Sequence, residues 1–115
     1  MTLQEYQERA MTTCLPESEN FAYMMLNLVG EVGEIAGKVS KAIRKGRVNI
    51  DNNHVLSFPF DEDIELRKEA GDVLWQLSGL CSVLGWNLED IAQENLDKLA
   101  DRKKRGVIAS QGDNR

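Results

Sequence analysis

Apolar residues recur with the period of an α-helix in two long stretches, and this periodicity constrains the fold more than any other feature. Between residues 19 and 44 the apolar positions advance by three and four: Met25, Leu28, Val32, Ile35, Val39 and Ala42. Between residues 61 and 84 they are Leu66, Ala70, Val73, Leu77, Leu80 and Leu84. Such spacing places side chains along one face of a helix. The sequence therefore predicts two long amphipathic helices, from about Glu19 to Arg44 and from about Asp61 to Leu84.

Two shorter helices and one irregular segment complete the chain. Thr2 and Glu5 have the spacing of a capping box, which predicts a short N-terminal helix. Asn87 is a favourable N-cap for a last helix that ends at about Arg105. Residues 46–60 have no helical period and are predicted to form a long irregular loop. We therefore expect the 115 residues to form a single all-α domain, a bundle of four or five helices.

Composition narrows the range of partners. The formal net charge is −5, with 14 basic and 19 acidic residues, so nonspecific binding of nucleic acid is not expected. No apolar run approaches the roughly 20 residues that span a membrane. The first residues lack the basic and apolar regions of a secretory signal. We therefore expect a cytoplasmic protein with no nucleic-acid or membrane partner.

Carboxylates lie beside the apolar face of both long helices. The strip contains Asn27, Glu31, Glu34 and Lys38 in one helix, and Glu65, Glu69, Asp72 and Gln76 in the other. Neither Glu31 nor Glu69 has a basic residue three or four positions away, so no local cation relieves its charge. These strips are either solvated surface or a site for a hard divalent cation such as Mg²⁺ or Mn²⁺. The single histidine, His54, lies outside any Glu-x-x-His motif, which argues against a di-iron bundle.

The last helix carries a basic strip. Asn95, Lys98 and Arg102 share one face, and residues 102–105 form the densest basic run of the chain. Positive charge of this kind commonly complements the macrodipole at a helix C-terminus. It is also suited to binding phosphate groups. Together with the carboxylates, this strip supplies the two charge types that a metal-bound polyphosphate requires.

Four motifs together resemble the MazG-type nucleotide pyrophosphohydrolases of the all-α NTP pyrophosphatase superfamily. They are G-E-x-G-E at 30–34, E-x-G-D-V-L-W at 69–75, N-x-x-K-L-x-x-R at 95–102 and the closing G-V-I…G-D-x-R. The resemblance implies Mg²⁺-dependent hydrolysis of nucleoside or deoxynucleoside triphosphates to the monophosphate and pyrophosphate, with Mn²⁺ as a substitute metal. It also implies a homodimer or homotetramer, with sanitation of the nucleotide pool as a candidate role.

The resemblance implies roles for individual residues. The metal ligands are Glu31, Glu34, Glu69 and Asp72. The catalytic residues are Glu31, Glu34, Glu69 and Lys98, and the glutamate that activates water is not assigned. The substrate-binding residues are Asn95, Lys98, Arg102 and Arg115, joined by Asn27 and Lys38 from the glutamate strip. Residues 46–60 match no family signature, so base selection is left open.

An alternative function is a noncatalytic helical module that mediates oligomerisation or interaction on the same scaffold. Such a module could tolerate the loss of an acidic ligand. All four carboxylates are present, together with Asn95 and Lys98, and this favours the enzyme.

Small residues interrupt both long helices. Gly30, Gly33 and Gly37 each cost a helix about 1 kcal/mol relative to alanine. We expect them to let the second acidic helix approach closely. On that second helix, Trp75 shares a face with small residues and is expected to pack against another subunit. Stacking of Trp75 on a nucleobase is the alternative.

Overall fold

The computed structural model describes residues 1–51 and 54–109, with the backbone alone for residues 49–51 and 54–57. The helices are α1 (Leu3–Met11), α2 (Phe21–Arg44), α3 (Phe60–Val83) and α4 (Leu88–Arg105), with a short 3₁₀ helix at Pro16–Ser18. This confirms the all-α class and the predicted helices, whose ends shift by two residues at most. No helix in the described part of the chain is both long and apolar enough to cross a membrane.

The segment predicted to be an irregular loop contains a small antiparallel hairpin between α2 and α3. Strand β1 (Asn49–Asp51) pairs with strand β2 (His54–Ser57), and Ile50 lies opposite Val55. The prediction of an irregular loop was therefore wrong for these residues. Strands of three and four residues are too short to show a period. Their backbone groups are satisfied by the partner strand, which no local pattern reveals.

The helix ends follow local signals. At α1, Glu5 N donates to Thr2 Oγ1 at 3.0 Å and Thr2 N donates to Glu5 Oε2 at 3.3 Å, which is the predicted capping box. At α4, the Asn87 side chain accepts a hydrogen bond from the second helical residue. Gly46 and Gly85 follow α2 and α3 with φ of 68° and 74°, a left-handed conformation that favours glycine. These short-range interactions explain why the helix ends were predictable.

The core lies where α2 packs against α3. Met24 of α2 is fully buried and contacts Gly79 of α3, where an added methyl group would overlap the Met24 sulfur. Gly79 is therefore the glycine that brings the two helices together. The prediction for Gly30, Gly33 and Gly37 was wrong, because a Cβ at any of them meets no atom of the described α3 within 4 Å.

The side of α2 that faces away from α3 is apolar and exposed. We call it the outer face of α2 and define it by Leu26, Val29, Val32, Gly33 and Gly37. Leu26 is 74% exposed and Val29 is 65% exposed. Val32 was predicted to face the core but is half exposed. The outer face therefore leaves large apolar side chains in contact with solvent in the single chain.

Trp75 is covered by α1 of its own chain. Its Nε1 donates hydrogen bonds to the carbonyl oxygen of Ala10 at 3.1 Å and to Thr13 Oγ1 at 2.9 Å. Its neighbours Ser78 and Gly79 are buried within the same chain. The prediction that this face of α3 packs against another subunit was therefore wrong, because α1 returns along α3 and occupies it.

Gln7 of α1 joins the corner between α3 and α4. Its Nε2 donates to Ser82 Oγ at 3.0 Å and to the carbonyl oxygen of Trp86 at 2.9 Å. Its Oε1 accepts a hydrogen bond from Leu88 N at 2.8 Å, at the first residue of α4. The side chain is buried, at 8% exposure, and its donor and acceptor groups are both used. Gln7 therefore fixes α1 to the end of α3 and the start of α4.

Candidate metal centre

Three carboxylates from the two central helices converge. Glu31 of α2 and Glu69 and Asp72 of α3 each offer an oxygen, and these oxygens lie within 4.8 Å of one another. Glu69 and Asp72 are three residues apart, so both project from one face of α3. The packing of α2 against α3 places Glu31 opposite them. We call this group the carboxylate cluster.

Glu34, the fourth predicted ligand, lies at the edge of the carboxylate cluster. Its side chain is exposed and does not belong to the group whose oxygens converge. Glu34 nevertheless contributes, after Lys38, to the lowering of the Glu69 pKa. Its charge also acts on Glu31. The structure therefore places three of the predicted ligands together and the fourth beside them.

The charges of the cluster are unequally compensated. Burial raises the pKa of Glu31, and the charges of Glu34, Asp72 and Glu69 raise it further. The hydrogen bond from Lys38 lowers the pKa of Glu69, and the same bond raises the pKa of Lys38. In the protein alone, Glu31 therefore takes up a proton more readily than an ordinary glutamate, while Glu69 stays ionised.

The cation that meets Glu69 comes from the neighbouring helix. Lys38 Nζ lies 2.6 Å from Glu69 Oε1 and 4.0 Å from Glu65 Oε2. Lys38 therefore reaches across from α2 to meet Glu69 of α3. Glu65 also pairs with Lys68 at 3.1 Å. On α3, no basic residue stands three or four positions from Glu69. Lys38 of α2 supplies the positive charge instead.

The residues of the cluster fit a divalent cation. Glu31 Oε2 and Glu69 Oε2 are buried and accept no hydrogen bond within the described residues. Buried polar atoms without a partner are rare and costly, and carboxylate oxygens are the most demanding of them. The donor set consists of oxygens alone, which suits Mg²⁺ or Mn²⁺. The two atoms without partners thus point to a cation between the helices.

The basic strip lies on α4, a different helix from those that carry the carboxylates. The described contacts of α4 are chiefly with α1, while α2 and α3 carry the carboxylates. Asn95 and Lys98 are exposed, whereas Arg102 is buried at 4% exposure. Arg115 lies outside the described residues. The proximity of the basic strip to the carboxylates therefore stays a prediction.

Two further residues near the cluster were not predicted as site residues. Tyr6 of α1 has its pKa raised by burial and by the negative charge of Asp72, so α1 also reaches the site. Gln76 lies one turn after Asp72 and is buried, and its Oε1 accepts no hydrogen bond within the described residues. The position of Gln76 on the acidic strip was a usable signal. Nothing local marks Tyr6, because its approach depends on how α1 packs.

Asn27, predicted to bind substrate, lies one turn before Glu31 on α2. Its Nδ2 donates a hydrogen bond to the Tyr23 hydroxyl at 3.1 Å. The Asn27 side chain is half-buried. The structure thus places Asn27 on the strip of the carboxylates, held by a neighbouring tyrosine.

Comparison with known proteins gives two matches. Residues 19–107 match the family model described as the MazG nucleotide pyrophosphohydrolase domain. The chain is also similar to the gene 37 protein of Mycobacterium phage L5, with 42% identity over 97 residues, which are 84% of this chain and 78% of the phage protein. No solved structure matches the chain. The family match includes the carboxylate cluster and α4 and begins after α1.

Proposed function

This chain belongs to the MazG nucleotide pyrophosphohydrolase family, and on that premise we propose that it hydrolyses nucleoside or deoxynucleoside triphosphates to the monophosphate and pyrophosphate. The observation that carries the proposal is the convergence of Glu31, Glu69 and Asp72, with two buried oxygens that lack partners. These residues would hold Mg²⁺, or Mn²⁺ as a substitute, with Glu34 beside them. Since free nucleotides are the substrates, we place the activity in the cytoplasm, with sanitation of the nucleotide pool as its role.

The proposed reaction cuts the bond between the α- and β-phosphates. Water attacks the α-phosphorus, the bridging oxygen leaves with the β-phosphate, and the proton of the water passes to a carboxylate or to solvent. A bound divalent cation would neutralise phosphate charge and ease deprotonation of water. Lys38, already beside Glu69, supplies a positive charge where the leaving group develops negative charge. Lys98 is proposed to contact the phosphates as well, together with Asn95 and Arg102.

We also propose that the protein is a homodimer or homotetramer. The radius of gyration is 17.3 Å, whereas a compact domain of this length has about 13 Å. The outer face of α2 exposes Leu26 and Val29, and Gly33 lies one turn after Val29, with no atom of the described residues within 4 Å of its Cβ position. Large apolar side chains around glycines suit close contact with a helix of a second copy.

The reaction is tested by incubating the full chain with a mixed dNTP pool and Mg²⁺, then with a panel of canonical and modified nucleotides. Hydrolysis in ¹⁸O-labelled water should place the label on the monophosphate. Lys98→Ala should lower turnover by about 10²-fold, by analogy with the loss of one preorganised charge-stabilising donor. Label in pyrophosphate, or release of inorganic phosphate, would reject the mechanism. A folded protein that forms no product would favour a noncatalytic interaction module.

A further inference from the structure

A cavity of about 240 Å³ lies between the C-terminal part of α2 and the start of α3. We call it the lysine pocket. Its basic residues are Lys38, Lys41, Lys45 and Arg47, and the rest of its wall is formed by Ala42, Glu62, Glu65 and Leu66. Four cations around one cavity are notable in a chain whose net charge is −5.

The spacing of the lysines builds the pocket. Lys38, Lys41 and Lys45 stand at i, i+3 and i+7, so their side chains leave α2 and its C-cap on one side. That side faces Glu65 and Leu66 of α3 across the cavity. The positive charges therefore point into the groove between the helices.

Two of the four cations have no carboxylate partner. Arg47 Nε lies 2.9 Å from Glu62 Oε1, and Lys38 is held by Glu69 at 2.6 Å. Among the side chains of residues 1–48 and 58–109, no carboxylate lies within ion-pair distance of Lys41 or Lys45. The pocket therefore holds two ammonium groups that are available to a bound anion.

The lysine pocket adjoins the carboxylate cluster through a shared residue. Lys38 lines the pocket and also donates a hydrogen bond to Glu69, one of the three converging carboxylates. An extended anion that is bound at the cluster through one end can therefore continue into the pocket.

We propose that the lysine pocket binds the terminal phosphates of the triphosphate, which leave as pyrophosphate, through Lys41 and Lys45. This inference rests on the proposed function and identifies which surface of the site receives the phosphate tail. Two lysines with no acceptor of their own can each donate charge-assisted hydrogen bonds to phosphate oxygens. A monophosphate held at the cluster would not reach them, so the pocket would select substrates by the length of the phosphate chain.

The test is binding of inorganic pyrophosphate to the full chain, measured by titration calorimetry with and without Mg²⁺. The double variant Lys41→Ala/Lys45→Ala should bind pyrophosphate about ten-fold more weakly or worse, as expected for loss of charge-assisted hydrogen bonds. Its KM for a triphosphate should rise in parallel, while inhibition by the nucleoside monophosphate should not change. Arg44→Ala is the matched control, since Arg44 is exposed in the last turn of α2 and does not line the pocket. It should bind pyrophosphate within about two-fold of the wild type.

Each outcome decides the inference. Wild-type affinity for pyrophosphate in the double variant would overturn it, as would an equal loss in Arg44→Ala, which would show a general charge effect. Pyrophosphate binding close to that of the wild type in the Lys41→Arg/Lys45→Arg variant would support a direct role for the two positive charges. If the wild type hydrolyses no triphosphate, the proposed function fails, and the pyrophosphate titration alone then decides whether the pocket is an anion site. If the wild type binds no pyrophosphate, the proposal that the lysine pocket binds phosphate groups is refuted.

Discussion

The outer face of α2 can be tested by adding two methyl groups to it. A Cβ at Gly33 or Gly37 meets no atom within 4 Å in the single chain. Both glycines lie in the interior of α2, where alanine is favoured over glycine by about 1 kcal/mol per residue. In a monomer, Gly33→Ala/Gly37→Ala should therefore stabilise the fold by about 2 kcal/mol. At about 4 °C or more per kcal/mol, the melting temperature would rise by roughly 8 °C.

In the proposed oligomer the same substitutions have the opposite effect. The methyl groups would enter a close contact with a second copy, and overpacking typically costs about 1–3 kcal/mol. We therefore expect the double variant to dissociate at higher protein concentration than the wild type. When the protein is dilute, the double variant should also unfold at a lower urea concentration than the wild type. Light scattering after size exclusion measures the mass, and urea unfolding at several concentrations measures the stability.

Gly71→Ala is the matched control. Gly71 lies inside α3, also has nothing within 4 Å of its Cβ position, and follows the charged residues Arg67 and Lys68 by one turn. The Gly71→Ala variant should be about 1 kcal/mol more stable to unfolding than the wild type at every protein concentration, and its oligomer mass should be the same. If the Gly33→Ala/Gly37→Ala variant behaves in the same way, the outer face of α2 is not an interface and the reasoning is refuted.

Three other substitutions test the site and the fold. Glu69→Gln should lower Mg²⁺-dependent turnover by about 10²-fold or more with unchanged circular dichroism, and retained activity would contradict the metal assignment. No gain in stability is expected from it, because Lys38 already relieves the charge of Glu69. In EDTA, the raised pKa of Glu31 means that wild-type stability falls as pH rises from the ordinary glutamate pKa to the raised pKa of Glu31. Glu31→Gln should lose this part of the pH dependence, and unfolding curves that keep it would refute the assigned cause. Trp75→Phe removes both hydrogen bonds to the α1 region and should lower the free energy of unfolding in urea by about 1–3 kcal/mol. The oligomer mass should not change. A changed mass would instead support a contact between subunits at Trp75.

Much of the fold was predictable because its determinants are local. The capping box of Thr2 and Glu5 and the N-cap at Asn87 act over two or three residues. The helical period of the apolar residues predicts the two long helices, α2 and α3. The carboxylates at i and i+3 on α3 share a face for the same reason, so two of the three residues of the carboxylate cluster follow from the sequence of one helix.

The parts that failed depend on contacts between distant segments. Trp75 was assigned to another subunit because its sequence surroundings do not reveal that α1 covers it. The period of α2 did not show which of its two apolar sides meets α3, and Gly79 with Met24 decides that question. The partner of Glu69 was missed because Lys38 lies 31 residues away and suits an intrahelical pair equally well. Pairing across helices is a tertiary property, and a one-dimensional pattern does not specify it.

The hydrogen bonds of Gln7 give the protein an internal reporter of local opening. The amide of Leu88 is bonded to the Gln7 side chain, so its hydrogen exchanges with solvent when α1 detaches from the corner. Exchange at that amide then measures the free energy of α1 detachment, separately from global unfolding. Amides of residues 76–81, in the buried C-terminal half of α3, report the global event. Comparing the two rates would show whether the segment that precedes the family match unfolds as a unit of its own or together with the rest of the chain.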